Sequence, residues 1–458
     1  MRVLLLCLAL LLGGCSTTRP WTNAPLPASA APARDPVQSM AAERLSLFGG
    51  VALSGGGARA AAFGYGVMLE LKATTITWEG RTTTLMDEVD IVSGVSGGSI
   101  IAAYYAAFGD ATFTRFEREF LRQDFQRSLI YRSLRPDNLP RLGSPWFGRG
   151  HVLAQRLDEL FEGKTFGDLA DHAGPQLKVT ATDLSLGMAF EFSPEQFALI
   201  CSDLSSVPLS FAVAASSAVP MLLAPMTLHN HAGHCPRAMP PLESLVGSHG
   251  HQSTLLLQQA QSYLDAERRP YIHLVDGGVA DNLGLRRAID VAAARGGITR
   301  GPGELPAHAV RKLFVIAVNS EREPGYRIDL SDRTPSTMQV LDAMLFGSGA
   351  RATRETLVVL QHTIDQWQRE IDSRAGDRDS PFAPDSQVHV IHVSLGDLKE
   401  EGLRRLLLHV PTAFTIGDED VTRLIAAGRQ ALRDSPEFQA LLRSLESPRY
   451  ASKGSATN

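Results

Sequence analysis

Seven short apolar runs, separated by stretches long enough for helices, constrain the fold of this chain more than any other feature. They fall at 50–53, 89–92, 177–182, 189–192, 272–276, 313–318 and 388–393. Runs of this length, rich in Val, Ile, Leu and Phe, suit strands buried on both faces. Between and around them, helices are expected at 61–72, 99–108, 113–122, 150–162, 210–218, 254–267, 284–295, 336–372, 399–409 and 418–446. Alternation of this kind implies an α/β fold with a mainly parallel central sheet covered by helices. Loops after strand C-termini are where such sheets build their sites. Three of these loops are glycine-rich: Ser54-Gly55-Gly56-Gly57, Gly94-Val95-Ser96-Gly97-Gly98 and Asp276-Gly277-Gly278.

The second loop reads strand, glycine-flanked serine, helix, the order a nucleophile elbow requires. Small neighbours let the serine occupy a strained turn, with its hydroxyl at the positive end of the following helix. With 40 glycines in the chain, the five-residue pattern is weak evidence alone, and context must support it. The first loop exposes consecutive backbone N–H groups before a helix, which makes an anion cradle. One reading is a dinucleotide loop, since Gly55-x-Gly57-x-x-Ala60 fits the loose fingerprint,. That needs an acidic residue about 20 positions on; Glu79 is near, but Thr74-Thr75-Ile76-Thr77-Trp78 makes a poor core strand. The other reading is an oxyanion hole, in which one donor is typically worth ~3 kcal/mol in rate. Arg59 either steers an anionic substrate or braces the loop by pairing. In the third loop, Asp276 is a general base if it lies within reach of Ser96, or simply an Asx turn ending its strand.

Taken together, the loops resemble the patatin-like phospholipase family. The resemblance rests on Gly55-Gly56-Gly57-Ala58-Arg59, Gly94-Val95-Ser96-Gly97-Gly98 and Asp276-Gly277-Gly278, in that order. Ala214-Ala215-Ser216-Ser217-Ala218-Val219-Pro220 also resembles a segment that lies beside that family's site. The chain departs from the family pattern at Ser54, where an aspartate often stands, and at Ala60, where glycine does. The resemblance implies a patatin-like three-layer fold and a Ser96–Asp276 dyad acting on lipid carboxyl esters without cofactor or metal. Gly55, Gly56 and Gly57, helped by Gly97, would then supply the oxyanion N–H groups.

Rival readings remain at this stage. His389, His392 and His409 all follow Asp276, so a Ser-Asp-His order is available,. His229, His231, His234, Cys235, His249 and His251 crowd one stretch but lack a repeated ligand spacing, which favours a rim loop over a metal site,. Residues 225–270 read as an insertion whose apolar helix either forms a lid or packs on the core. A non-catalytic envelope protein that keeps the fold as an interaction module is the alternative from a different functional class.

Residues 1–14 carry one positive charge and a short apolar run, and Leu12-Gly13-Gly14-Cys15 resembles a bacterial lipobox,. The expectation is cleavage before Cys15, acylation there, and a position on the periplasmic face of the outer membrane. Residues 15–44, rich in Pro, Ala, Ser and Thr, are expected to form a flexible tether, 45–450 the folded domain and 451–458 a disordered tail,. Of the four cysteines, only Cys201 and Cys235 lie in the expected domain, and an oxidising compartment makes them a candidate disulfide,. A net charge of −5 and the absence of a long basic run argue against nucleic acid as a partner,. The oligomeric state is not legible.

Overall fold

The computed structural model describes residues 19–28, 45–170, 174–235, 250–300, 305–321, 326–336, 339–340, 343 and 348–446. The expected signal segment, Cys15 and the tail at 451–458 lie outside the described residues, as does the stretch 236–249 containing His249.

The elements that position the site run β1 (Leu47–Leu53), α1 (Gly57–Ala73), β2 (Thr75–Trp78), β3 (Arg81–Thr84), β4 (Val89–Val95) and α2 (Gly97–Phe108). Then come α3 (Phe125–Ser133), α4 (Arg149–Leu160), β5 (Gln176–Asp183), β6 (Met188–Phe192), α5 (Leu209–Ser216) and β7 (Met226–His229). The chain continues through α6 (Gly250–Leu264), β8 (Tyr271–Val275), β9 (Val310–Asn319), α7 (Ser348–Ser373), β10 (Phe382–Ser394), α8 (Asp418–Asp434) and α9 (Pro436–Leu445). All seven apolar runs become strands of one eight-stranded sheet, ordered β10-β9-β1-β4-β5-β8-β7 with β6 also on β5. The five strands from β10 to β5 are parallel, and helices flank the sheet.

One of the expected helices is divided for a clear reason. The stretch 418–446 is two helices, because Pro436 has no N–H to continue α8 and the Ser435 hydroxyl instead accepts the Phe438 N–H to start α9,. The stretch 74–78 does not join the main sheet; β2 and β3 form a separate hairpin closed at Glu79–Gly80, both at positive φ.

The antiparallel end of the sheet sets the site. Thr182 of β5 pairs with Ala189 of β6 and with Val275 of β8, while Val179 and Thr180 pair with β6 and with Gly94 and Val95 of β4. A strand has only two edges, so β6 takes one and β4 and β8 share the other, approaching from opposite directions. Continuing each register by one residue brings Ser96 and Asp276 to the level of Ala181. The two strands meet nearly head to head there. Asp276 follows the C-terminal end of its strand, and that strand, β8, is one of the antiparallel members of the mainly parallel sheet.

Part of the expected tether is docked. Asn23 is buried, donates to the Ser202 hydroxyl at 2.7 Å and the His229 carbonyl at 2.9 Å, and accepts the His229 N–H at 2.7 Å. The Leu26 N–H donates to the Cys201 carbonyl, and Pro25 bridges Ser202 in the antiparallel sense. Trp21 packs edge-on against Phe211 at 4.9 Å. The composition of residues 19–28 hides this, because one buried Asn satisfies the edge groups of β7 where an apolar run would be expected.

Helix α6, within the candidate lid, buries Leu256, Ala260 and Tyr263 in the core. Gln259 donates to the Ala189 carbonyl, and the Tyr263 hydroxyl donates to Asp183 at 3.0 Å. The described part of that insertion is therefore a structural layer over β5 and β6. Among the described residues no helix is long and apolar enough to cross a membrane.

Candidate active site

Ser96 follows β4 directly and has φ 50° and ψ −121°, a strained conformation for a residue with a side chain,. Several contacts hold it there. Its N–H donates to the Ser216 hydroxyl at 2.8 Å, and that hydroxyl donates to the Thr180 carbonyl at 2.6 Å. Its carbonyl accepts the Ser99 hydroxyl at 2.6 Å and the Ser99 N–H at 2.9 Å. Gly97 is required by close approach: a Cβ there would lie 2.0 Å from the Gly57 carbonyl oxygen. That approach sets the N-termini of α1 and α2 against one another beside Ser96, with their positive ends converging.

The Ser96 hydroxyl donates to Asp276 Oδ2 at 2.8 Å. The other oxygen, Oδ1, accepts the Gly278 N–H at 2.8 Å. The backbone of Asp276 is pinned through its N–H to the Ala218 carbonyl and through its own carbonyl by the Thr182 hydroxyl at 2.8 Å. Both members of the pair are buried, with 7% and 8% exposure. Burial pushes the Asp276 carboxyl up to about 6, opposed by the hydrogen bonds from Gly278 and Ser96. Near neutral pH the carboxylate is therefore ionised and poised as a proton acceptor. Asp281 is likewise pushed up to about 6 by burial, but its oxygens accept the N–H groups of Leu283, Gly284 and Arg286. It builds the loop and does not reach Ser96.

The glycine loop needs one correction. The Gly55 N–H donates to the Asn282 carbonyl at 3.1 Å, so it is committed to tying the first and third loops together. This leaves the N–H groups of Gly56, Gly57 and Gly97 as oxyanion candidates. Gly57 has φ 63°, and a Cβ on it would meet the Ala413 carbonyl at 2.4 Å. Arg59 is buried and donates to the Ser320 carbonyl at 3.0 Å and the Val410 carbonyl at 2.6 Å, so it braces the loop and does not face a substrate. Ser54 serves the same brace, accepting the Ser320 N–H at 2.9 Å. Glu79, the acidic residue that a dinucleotide site would need, pairs with Arg311 at the base of β1 and hydrogen-bonds Ser46.

The remaining candidates are placed elsewhere. His389 and His392 lie on β10, separated from β4 by β9 and β1; His389 meets the Ser444 hydroxyl, and His392 faces Asp397 at 3.8 Å. His409 is exposed against the Arg405 carbonyl. Cys201 and Cys235 are joined in a disulfide with Cα atoms 5.4 Å apart, so Cys235 has no thiolate to offer a metal. His229 and His231 face one another at 3.1 Å, and His231 also contacts the Asn23 carbonyl. Among the described residues no group of three His, Cys, Asp or Glu is arranged to hold a metal. The sequence assigns no role to Ser216 and Thr182, which hold the backbones of Ser96 and Asp276, or to Asn282, which ties the first loop to the third. Of these, Ser216 lay in a segment already singled out; Thr182 and Asn282 carry no local signal.

Residues 51–289 match a family model described as patatin-like phospholipase. No curated protein matches the chain. Among solved structures, human GIVD cytosolic phospholipase A2 in complex with methyl gamma-linolenyl fluorophosphonate is similar at 15% identity, with a TM-score of 0.41 over 89% of this chain and 60% of that one. VipD from Legionella pneumophila is similar at 11% identity, with a TM-score of 0.30 over 87% of this chain and 67% of that one. The chain thus spans about 60% of the human enzyme's length. Strands β9 and β10, and the segments that brace Arg59, lie beyond the matched residues yet complete the same sheet and loop.

Proposed function

The chain belongs to the patatin-like phospholipase family, and from that premise we propose that it is a serine acyl hydrolase cleaving lipid carboxyl esters through a Ser96–Asp276 dyad. The observation that carries the reading is the 2.8 Å hydrogen bond from the Ser96 hydroxyl to a buried, ionisable carboxylate. As Ser96 Oγ attacks the ester carbonyl carbon, its proton passes to Asp276. The carbonyl oxygen becomes an oxyanion facing the N–H groups of Gly56, Gly57 and Gly97 at two helix N-termini. Collapse breaks the ester C–O bond, Asp276 returns the proton to the departing alcohol, and the acyl group stays on Ser96. Asp276 then takes a proton from water as the water oxygen attacks the acyl carbon; the bond from that carbon to Ser96 Oγ breaks, the proton passes from Asp276 to Oγ, and the free acid leaves.

The dyad reading is supported by the direct contact of Ser96 with one Asp276 oxygen, while the Gly278 N–H holds the other in place. Among the described residues no histidine hydrogen-bonds either Ser96 or Asp276. The expected substrates are phospholipids, lysophospholipids or neutral glycerides. With cleavage and acylation at Cys15, the mature enzyme would be anchored in a bacterial envelope, on the periplasmic face of the outer membrane, next to such lipids.

The test is a fluorophosphonate probe followed by peptide mass spectrometry, together with a lipid panel assayed on wild type and Ser96→Ala. An adduct on Ser96 and fatty acid release that disappears in Ser96→Ala are expected. No adduct on folded protein would favour the non-catalytic module.

A further inference from the structure

The region between α3 and α5 exposes apolar side chains that the core does not use. On α3 only Phe125 is buried, while Ile130 and Tyr131, with Leu134 just beyond, are 57%, 58% and 64% exposed. Trp146 is 44% exposed, and Met221 and Leu222 are 63% and 49% exposed. These stretches adjoin one another: the exposed Arg149 donates to the Met221 carbonyl, and Gly148 lies against Ala224. Met221 is held at φ 65°, an uncommon conformation for a residue with a side chain, and this keeps a large apolar group outward,.

This rim borders the site. Ala218, three residues before Met221, accepts the Asp276 N–H, and Val279, three residues after Asp276, is 41% exposed. Its charge is also distinctive. The whole chain carries −5, yet residues 122–150 contain six arginines against two aspartates; Arg122, Arg132 and Arg135 pair with Glu117, Glu159 and Asp137, which leaves Arg127, Arg141 and Arg149 for the surface. Exposed aromatic and aliphatic groups interleaved with arginine suit a bilayer interface bearing negative charge.

The docked N-terminus points the same way. The Arg19 guanidinium sits 4.6 Å over the Trp146 ring, and the following residues are pinned through Asn23 and Leu26. Cys15 is four residues before Arg19, so chain length keeps its Cα within about 14 Å of the Arg19 Cα. We propose that the rim around Trp146, Met221 and Leu222 is a docking surface for an anionic lipid bilayer, and that the strap at 19–28 holds the acylated Cys15 beside it. The domain then has one orientation on the membrane, with the rim beside Ser96 facing lipid. The position of the anchor rests on the reading of Cys15 given above; the surface does not.

The experiment reconstitutes the full processed chain in phosphatidylglycerol vesicles whose acyl chains are brominated, and reads tryptophan fluorescence. Trp78 and Trp367 are buried, so lipid quenching reports on Trp21 and Trp146. Wild type is expected to be quenched, and Trp146→Phe to lose at least half of that quenching. Equal quenching in the two proteins, or none in wild type, overturns the proposal. Mass spectrometry of the same sample reads Cys15 separately. If Cys15 carries no acyl chain, the anchor reading falls and the surface is judged by flotation on the same vesicles. There, binding reduced at least fivefold by Trp146→Ser with Leu222→Ser supports it, and unchanged binding overturns it. A wild type that dimerises without vesicles, and that these substitutions make monomeric, would identify an interface between copies and also overturn it.

Discussion

Replacing Asp276 by Asn should remove activity and make the protein more stable. Burial moves this carboxyl from 3.8 to about 6, which at 1.36 kcal/mol per unit is about 3 kcal/mol. The raised value means that the folded state holds the proton more tightly than the unfolded chain does. Its contribution to stability is full below pH 3.8 and is lost as pH rises through about 6,. At pH 7.5 the ionised group is a net cost that Asp276→Asn removes, while the amide oxygen still accepts the Gly278 N–H. A chain of 458 residues has an unfolding entropy of about 1 kcal/mol/K, so the melting temperature should rise by about 3 °C. At pH 4 the difference should shrink towards zero. Differential scanning calorimetry at the two pH values reads both effects, and an ester assay reads the loss of turnover. Asp281→Asn is the control. Its carboxylate is raised similarly, but it accepts N–H groups on both oxygens; an amide nitrogen facing the Arg286 N–H should lower the melting temperature. If Asp276→Asn melts below wild type at pH 7.5, or keeps the same advantage at pH 4, the argument that burial destabilises this carboxylate is wrong.

Other outcomes follow from the same geometry. The acid limb of kcat/KM on a soluble short-chain ester should fall tenfold per pH unit below about 6, where Asp276 takes up its proton,; a limb unchanged between pH 7 and 5 would remove Asp276 as the base. Gly97→Ala puts a Cβ 2.0 Å from the Gly57 carbonyl, so it should cut fluorophosphonate labelling at least a hundredfold and lower the melting temperature. Ser216→Ala leaves the buried Ser96 N–H without its acceptor and should cost about 1–3 kcal/mol in stability, with a lower kcat and little change in KM. Cys201→Ser with Cys235→Ser opens a bridge across a sequence separation of 34 and should cost about 4 kcal/mol by denaturant unfolding.

The strands were legible because each is an unbroken apolar run, and the serine loop because strand, glycine and helix follow within a few residues. What the sequence hid was relational. Nothing local in Tyr271–Val275 tells that β8 runs antiparallel to β5, yet that direction is what brings Asp276 to Ser96. Helix α3 escaped notice because its exposed face carries Ile130 and Tyr131, which blurs the apolar period that marks a packed helix. β7 is only Met226–His229 and alternates buried with half-buried positions, too short a signal to stand out. Gly55 read as an oxyanion donor because glycine advertises a free N–H; its partner, the Asn282 carbonyl, comes from a loop more than two hundred residues away. The docked strap was missed for a similar reason, since its buried anchor is a single asparagine.

Two residues that each carry a local cost are the two that meet. Ser96 holds a backbone conformation costing roughly 1–3 kcal/mol, and Asp276 holds an ionised carboxylate worth about as much again. Neither would persist unless the surroundings over-determined it. β5 does much of that work with one stretch of chain: the Thr180 carbonyl anchors Ser216, which fixes Ser96, and the Thr182 hydroxyl fixes the Asp276 carbonyl. Between them lies Ala181, the level at which β4 and β8 both stop. A parallel strand in place of β8 would have carried Asp276 away from Ser96, so the reversal of direction at this edge of the sheet is what turns two separate strand ends into one hydrogen-bonded pair.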